Sequence, residues 1–418
     1  MTNGLQRASL SKLDGIRGLA AIIVVFSHVL FWYYPAMHLG QRTAGRPLDG
    51  IEWFESPFSF FYRGGFSVSM FFILSGLVLT YSISKHGDVL DAIRNAAIKR
   101  YIRLGIPVAA SVLLGCALMK LGLYEATEVS PAPVLSTPYL FNASWATAFR
   151  DAIYGALALG DSRYNYVLWT IQIELIGSFA IFAAFALFGT NKAIYRAFCV
   201  CTFLVLSASP NKIAMYTSLF FVGSMLITFR FEQARNNIVK TLISLSGLVL
   251  GLYLAGFHPA SGSYVSINSA TRALSAYTGY QPYWMLIVPA AGGLIILLSV
   301  LNSQKIFSVL DSTPMKWLGK LSFSVYLLHT FALVIMGQLF TKHIGMGVIS
   351  MFLTLASTLF ITLIASYLFY LKVDNMAIRL ANRFSAVLLG RQGVDKACQP
   401  AMEKFTLQAP RADTRPSQ

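Results

Sequence analysis

Stretches of about twenty apolar residues recur along this chain, and that recurrence restricts it to few architectures. A helix needs roughly 20 such residues to cross the hydrocarbon layer of a bilayer. Only helices and closed barrels can satisfy every backbone polar group there. Runs of this kind fall near 15–34, 65–84, 104–122, 166–188, 194–209, 213–229, 240–257, 284–301, 318–340 and 348–371. They predict an all-α, polytopic transmembrane helix bundle of about ten spans, the fifth being short. A further stretch at 145–160, WATAFRDAIYGALALG, carries Arg150 and Asp151 near its start. Those charges suit an interfacial or re-entrant helix better than an eleventh span.

Composition agrees. Hydrophobic residues make up 56% of the chain and charged residues 12%, whereas a soluble domain carries about 25% charged residues. Lys and Arg outnumber Asp and Glu by 33 to 17, a formal charge of +16. A basic chain can signal nucleic acid. Here the cations fall mainly between apolar runs, which fits topology and anionic lipid instead and excludes a nucleic-acid partner. Arg7, Lys12 and Arg17, then Lys85, Arg94, Lys99, Arg100 and Arg103, then Lys192, Arg196, Arg230, Arg235, Lys240, Lys305 and Lys316 alternate with an opposite side holding Asp49, Glu52, Glu55, Glu125 and Glu128. That bias predicts both termini in the cytoplasm. The first run ends in Phe31, Trp32, Tyr33 and Tyr34 rather than in small residues, so it reads as a retained span and not a cleaved signal. Four cysteines show neither a disulfide framework nor metal spacing, so no metal site is expected.

Polar residues inside apolar runs are the functional candidates. In LDGIRGLAAIIVVFSHVLFWYY, Arg17 and His28 lie eleven positions apart. On a helix they share one face within about 20° and stand about 16 Å apart along the axis. Asp14 lies one turn before Arg17. An interior histidine can simply tie two helices together, but ionisable groups at this depth usually face protein or water and mark function. A neutral imidazole can also take a proton from a hydroxyl near pH 7.

In GGFSVSMFFILSGLVLT, Ser75 either packs a helix crossing or lines a cavity, with no neighbouring base to make it a nucleophile. In AIKRYIRLGIP, Arg100 and Arg103 share a face, as topology anchors or as a phosphate clamp. In YVLWTIQIELIG, Glu174 sits a turn inside an apolar run, where a carboxylate must be paired or wet. It could partner an arginine, orient a base or bind an acceptor hydroxyl. In WLGKLSFSVYLLHTF, Ser322, Tyr326 and His329 form one polar stripe, either an interhelical seam or part of the cavity that holds His28. No P-loop, dinucleotide fingerprint or metal cluster is visible.

These segments, in this order, resemble the acyltransferase 3 family of membrane-bound O-acyltransferases. The resemblance runs from about Leu13 to about Leu371 and rests on Arg17 and His28 with ten residues between them, FFILSG at 71–76, LWTIQIE at 168–174 and LGKLSFSVYLLH at 318–329. Two positions depart from the family pattern: Phe323 stands where tyrosine is common, and LKVDNMAIR carries Asp374 without a following proline, so no role is carried over to Asp374.

The charge bias and composition, with the extent of the resemblance, predict a cytoplasmic N-terminal segment at 1–12, the acyltransferase 3 transmembrane domain at 13–371, and a basic, partly disordered cytoplasmic tail at 372–418, in a multi-pass protein of the cell (inner) membrane. The resemblance implies a donor acyl-CoA, most often acetyl-CoA, as substrate, with no permanently bound cofactor, and a carbohydrate or glycan acceptor. Arg17, Arg100 and Arg103 would grip the donor. His28, with Glu174, would carry the catalysis, and Asp14, Ser75, Trp169, Tyr326 and His329 would line the substrate site. No extracytoplasmic hydrolase-like domain is visible, so a separate transferase would supply any relay on that side. The alternative of a different class, a transporter of a glycan or lipid intermediate, lacks paired broken helices in matching halves.

Overall fold

The computed structural model describes residues 7–41, 50–124, 141–229, 231, 238–303 and 307–391, and no strand occurs among them. The bundle comprises α1 (Arg7–Tyr33), α2 (Gly64–Ser84), α3 (Val89–Lys120), α4 (Trp169–Phe188), α5 (Lys192–Ser207), α6 (Lys212–Met225), α7 (Ile238–Ala255), α8 (Trp284–Asn302), α9 (Thr313–Ile344), α10 (Val348–Phe369) and α11 (Asn375–Leu388). Eight stretches of the described chain are long and apolar enough to cross a membrane. A helix stands at each of the ten expected positions, but α5 and α6, of 16 and 14 residues, fall short of that length. The segment at 145–160 forms a helix, Trp145–Arg150, that widens into a π-helix over Asp151–Leu159. Its fifteen residues reach at most about 23 Å, below the roughly 30 Å of hydrocarbon. Asp151, 1% exposed, is clamped there by Arg150 (2.6 Å) and Arg163 (3.0 Å).

Two boundaries differ from the sequence reading. The third span was expected from 104; α3 starts at Val89, where the Asp88 side chain caps the helix by accepting from the Asp91 N–H at 2.9 Å. Arg94, Lys99, Arg100 and Arg103 therefore ride on the helix rather than in a connecting loop. At the other end, the tail expected from 372 is helical to Leu388. A π-helical turn over Tyr370–Asp374 joins α10 to α11. α11 packs on α3, burying Ala377, Ala381 and Ser385, and Ser385 Oγ donates to Asn95 Oδ1 at 2.5 Å. Residues 392–418 lie outside the described residues.

The centre is set by α1 against α9. A Cβ on Gly319 would collide with the Asp14 carbonyl, so glycine there lets the two backbones touch. α2 crosses α6 in the same way: a Cβ on Gly223 would strike the Ile73 carbonyl. Tight contact without side chains leaves the polar positions of α1, α2, α4 and α9 to face one another in the middle of the bundle.

Candidate active site

Two cavities lie along α1, one at each end of its buried face. The first, about 350 Å³, is lined by Asp14 and Arg17 from α1, Ser75 from α2, Arg100 and Arg103 from α3, Glu174 from α4, Lys320, Ser322 and Tyr326 from α9, and Tyr370 and Asp374 from the π-turn. The second, about 310 Å³, is lined by His28, Ser27 and Val24 from α1, His38, Arg63, Gly64 and Gly65 before and at the start of α2, Tyr166, Trp169, Tyr216 and again Tyr326. Val68 and Tyr326 border both. The Tyr326 hydroxyl is fixed between Thr170 Oγ1 (3.0 Å) and the Val167 carbonyl (3.2 Å), so its ring is a held partition and not a loose side chain.

The first cavity is less cationic than its arginines suggest. Four cations (Arg17, Arg100, Arg103, Lys320) face three acids (Asp14, Glu174, Asp374), leaving one formal positive charge in excess. Glu174 forms an ion pair with Arg100 and accepts from Ser75 Oγ at 2.8 Å, while Arg100 Nε donates to Ser178 Oγ at 2.8 Å. These bonds aim the guanidinium along a fixed direction in the cavity wall. Asp374 Oδ2 accepts from Ser324 at 2.5 Å, and its Oδ1 is buried with no partner. The π-turn explains why: the wider winding over 370–374 brings both Tyr370 and Asp374 to the cavity wall.

In the second cavity the chemistry centres on His28 and the nearly coplanar imidazole of His329 behind it. His28 Nδ1 and His329 Nε2 are 2.9 Å apart, with ring planes within 12°. His329 Nδ1 lies 3.1 Å from the Val325 carbonyl and 2.9 Å from the Tyr326 carbonyl. Carbonyls only accept, so Nδ1 carries the proton and Nε2 of neutral His329 is bare. That bare nitrogen accepts from His28 Nδ1–H, which leaves Nε2 of His28 as its basic nitrogen. A backbone-fixed tautomer is thus relayed to the ring that lines the cavity.

The remaining sequence candidates divide between these places. Arg17, Arg100, Arg103, Asp14, Ser75 and Glu174 meet in the first cavity; Trp169 lies in the second with His28. Glu174 was expected to act with His28, yet it faces the other cavity and is held by Arg100. His329 was expected to touch substrate. It is 0% exposed and lines neither of these cavities, so its contact is with His28.

Sequence reasoning missed Lys320, Asp374, His38 and Arg63. His38 Nε2 lies 3.2 Å from the Tyr62 carbonyl and 3.0 Å from Ser27 Oγ, the residue before His28. Burial, helped by the charge of Arg63, pushes the His38 imidazole down to about 3, so it is neutral at ordinary pH. Three of the chain's six histidines therefore gather around one cavity. The only hint in the sequence was that His38 and Arg63 fall close to the ends of apolar runs.

Among the described residues no group of His, Cys, Asp and Glu could hold a metal ion. The model of the acyltransferase 3 family, described as an acyltransferase domain, matches residues 10–371. Similar proteins include the O-acetyltransferase PaAT-1 of Phomopsis amygdali, 25% identical over 372 residues, covering 77% of this chain and 71% of that one. They also include the acyltransferase clz18 of Cochliobolus lunatus, 23% identical over 396 residues, covering 77% of this chain and 82% of that one. No solved structure matches. A multi-pass membrane bundle, two facing cavities and the matched domain lead to one conclusion: the chain belongs to the acyltransferase 3 family and is an acyltransferase.

Proposed function

We propose that the chain moves an acyl group, acetyl in the simplest case, from cytoplasmic acyl-CoA to a hydroxyl of a carbohydrate or glycan acceptor at the cell membrane. The observation that carries this reading is the pairing of a cavity walled by arginines with a histidine cavity across one tyrosine ring. The charged head of CoA cannot enter lipid. Its phosphates would meet Arg17, Arg103 and Lys320, with Arg100 steadied by Glu174. The thin pantetheine arm carries amide N–H groups, and the unpartnered Oδ1 of Asp374 is an acceptor suited to one of them. The distance from Arg17 to His28 along α1, about 16 Å by helix geometry, is comparable with that arm.

The thioester would then meet the acceptor hydroxyl beside Tyr326. His28 Nε2 takes the hydroxyl proton as the oxygen attacks the thioester carbon; the C–S bond breaks, and the departing thiolate recovers the proton from the imidazolium. His329 holds the His28 ring and accepts from Nδ1–H throughout. Base catalysis of this kind contributes about 10²–10⁴-fold, with positioning of the two substrates supplying much of the rest. Trp169 and Tyr166 provide flat walls against which a sugar ring can lie.

The test is incubation of membranes containing the chain with labelled acetyl-CoA. Label should appear in an acceptor with the wild type and not with His28→Ala, while the variant still inserts and binds CoA. Normal labelling by that variant removes the base. Transport of a glycan with no consumption of acetyl-CoA refutes the whole reading.

A further inference from the structure

Arg63 sits on the wall of the histidine cavity without a carboxylate. Its residue is 9% exposed, Nη1 donates to the His38 carbonyl at 3.2 Å, and Nε and Nη2 have no hydrogen-bond partner. Its guanidinium lies over the rings of Phe54 and Tyr62, 5.2 and 5.7 Å from their centroids. The titratable groups that feel its charge are His38, Tyr62, His258 and Tyr264. Burial and that charge keep His258 down at about 4, and burial pushes the Tyr62 phenol up to about 12. All four are neutral at ordinary pH, so the cation has no counter-charge among the described residues. A buried charge is ordinarily paired.

Arg63 is also the residue at the N-cap of α2, a helix of 21 residues whose positive end opens on the same cavity. Gly64 and Gly65 line it there, and a Cβ added to Gly65 would meet nothing within 4 Å. Open space therefore adjoins a dipole end, and the guanidinium on the wall of the same cavity keeps two nitrogens unused, the ingredients of an anion site. The site is tied to the base: Gly64 N–H donates to Ser27 Oγ at 3.1 Å, and Ser27 precedes His28 on α1.

Resting on the transfer reading above, we propose that the acceptor carries an anionic group, a carboxylate or a phosphate, which Arg63 and the start of α2 bind while a hydroxyl of the same molecule faces His28. The donor does not account for this site. Its phosphates belong at the other end of α1, with Arg17. His38 adds to the selectivity: its Nε2–H is engaged by the Tyr62 carbonyl, and its Nδ1 is buried with no partner, an acceptor for one acceptor-borne hydroxyl.

Isothermal titration calorimetry on the full chain in detergent tests this, with CoA at saturation so that the arginine cavity is occupied. The probes are sodium glucuronate, glucose 6-phosphate and glucose. At least one anionic probe should bind about tenfold or more tightly than glucose. A preference for glucuronate assigns the group as a carboxylate, and one for glucose 6-phosphate as a phosphate. Arg63→Gln should bring anionic and neutral probes to within about twofold of each other, and Arg63→Lys should keep part of the preference, since it retains the charge. Gly65→Leu, whose Cβ would enter open space, should abolish the preference with CoA binding unchanged. Equal binding of all three probes by the wild type, or a preference that survives both Arg63→Gln and Gly65→Leu, overturns the proposal. The outcome separates from that of the transfer reading. Anion preference without any movement of label from acetyl-CoA refutes only the transfer, and transfer to a neutral acceptor without anion preference refutes only this site.

Discussion

Replacing His329 by alanine probes the relay of the tautomer without touching either cavity wall. The ring of His329 is 0% exposed and accepts from His28 Nδ1 at 2.9 Å. Its removal leaves that N–H unpartnered in a dry setting. An orphaned buried donor costs about 1–3 kcal/mol, which is roughly five- to 150-fold in rate if it falls wholly on the transition state. The loss should be smaller than the approximate 10²–10⁴-fold expected for His28→Ala. Initial rates of CoA release from acetyl-CoA, measured with a thiol reagent on purified chain and corrected for folded fraction by thermal melt, give the comparison. The fall should appear in kcat, with the apparent KM for acetyl-CoA held within about twofold, because the arginine cavity is untouched. His329→Gln, which offers an amide oxygen as acceptor, should recover part of the rate. The double variant should be no slower than His28→Ala alone, since both changes act through one imidazole. A His329→Ala rate equal to wild type, or losses that simply multiply, would refute the relay.

Other perturbations have equally direct readouts. Arg17→Ala should raise the apparent KM for acetyl-CoA about 10–100-fold with little change in kcat, the scale of a lost charge-assisted contact; an unchanged KM removes the clamp. Tyr326→Ala should open the partition between the cavities and raise release of free acetate relative to transfer, measured by partition of label between water and acceptor; an unaltered ratio means the ring is not a barrier. Gly319→Leu should prevent α1 and α9 from meeting and lower the melting temperature steeply or abolish folding, whereas a wild-type melt would contradict the close approach. For His38, whose folded value lies near 3 against 6.5 unfolded, the unfolded chain binds more protons between those limits. Stability should therefore fall as pH drops below about 6.5, and His38→Gln should flatten that slope in thermal melts between pH 7 and 4.5.

Legibility from sequence followed how local the cause was. The alignment of Arg17 with His28 is a property of one helix and needs only its period, so it could be read directly. The pairing of Glu174 with Arg100 could be named only as one option, because it depends on how α3 and α4 cross. Which cavity Glu174 faces was invisible for the same reason. Asp374 drew no role because LKVDNMAIR departs from the family pattern there, and no residue in that stretch announces the π-turn that brings Asp374 to the arginine cavity. The helical start at Val89 was hidden by polar residues that face α11 rather than lipid, a contact between segments nearly three hundred positions apart. Arg63 and His38 sit in connections, where neither hydropathy nor periodicity distinguishes a cavity wall from a surface loop.

The central claim is that one donor molecule bridges both cavities along α1. Cryo-electron microscopy of the chain with a non-cleavable acetyl-CoA analogue, its sulfur replaced by carbon, addresses it directly. The expected density places the phosphates among Arg17, Arg100 and Arg103, runs the pantetheine arm past Asp374, and brings the acetyl carbonyl beside Tyr326 within reach of His28. An analogue bound wholly outside the arginine cavity, or one whose acetyl end points away from Tyr326 with His28 sealed off, would contradict it.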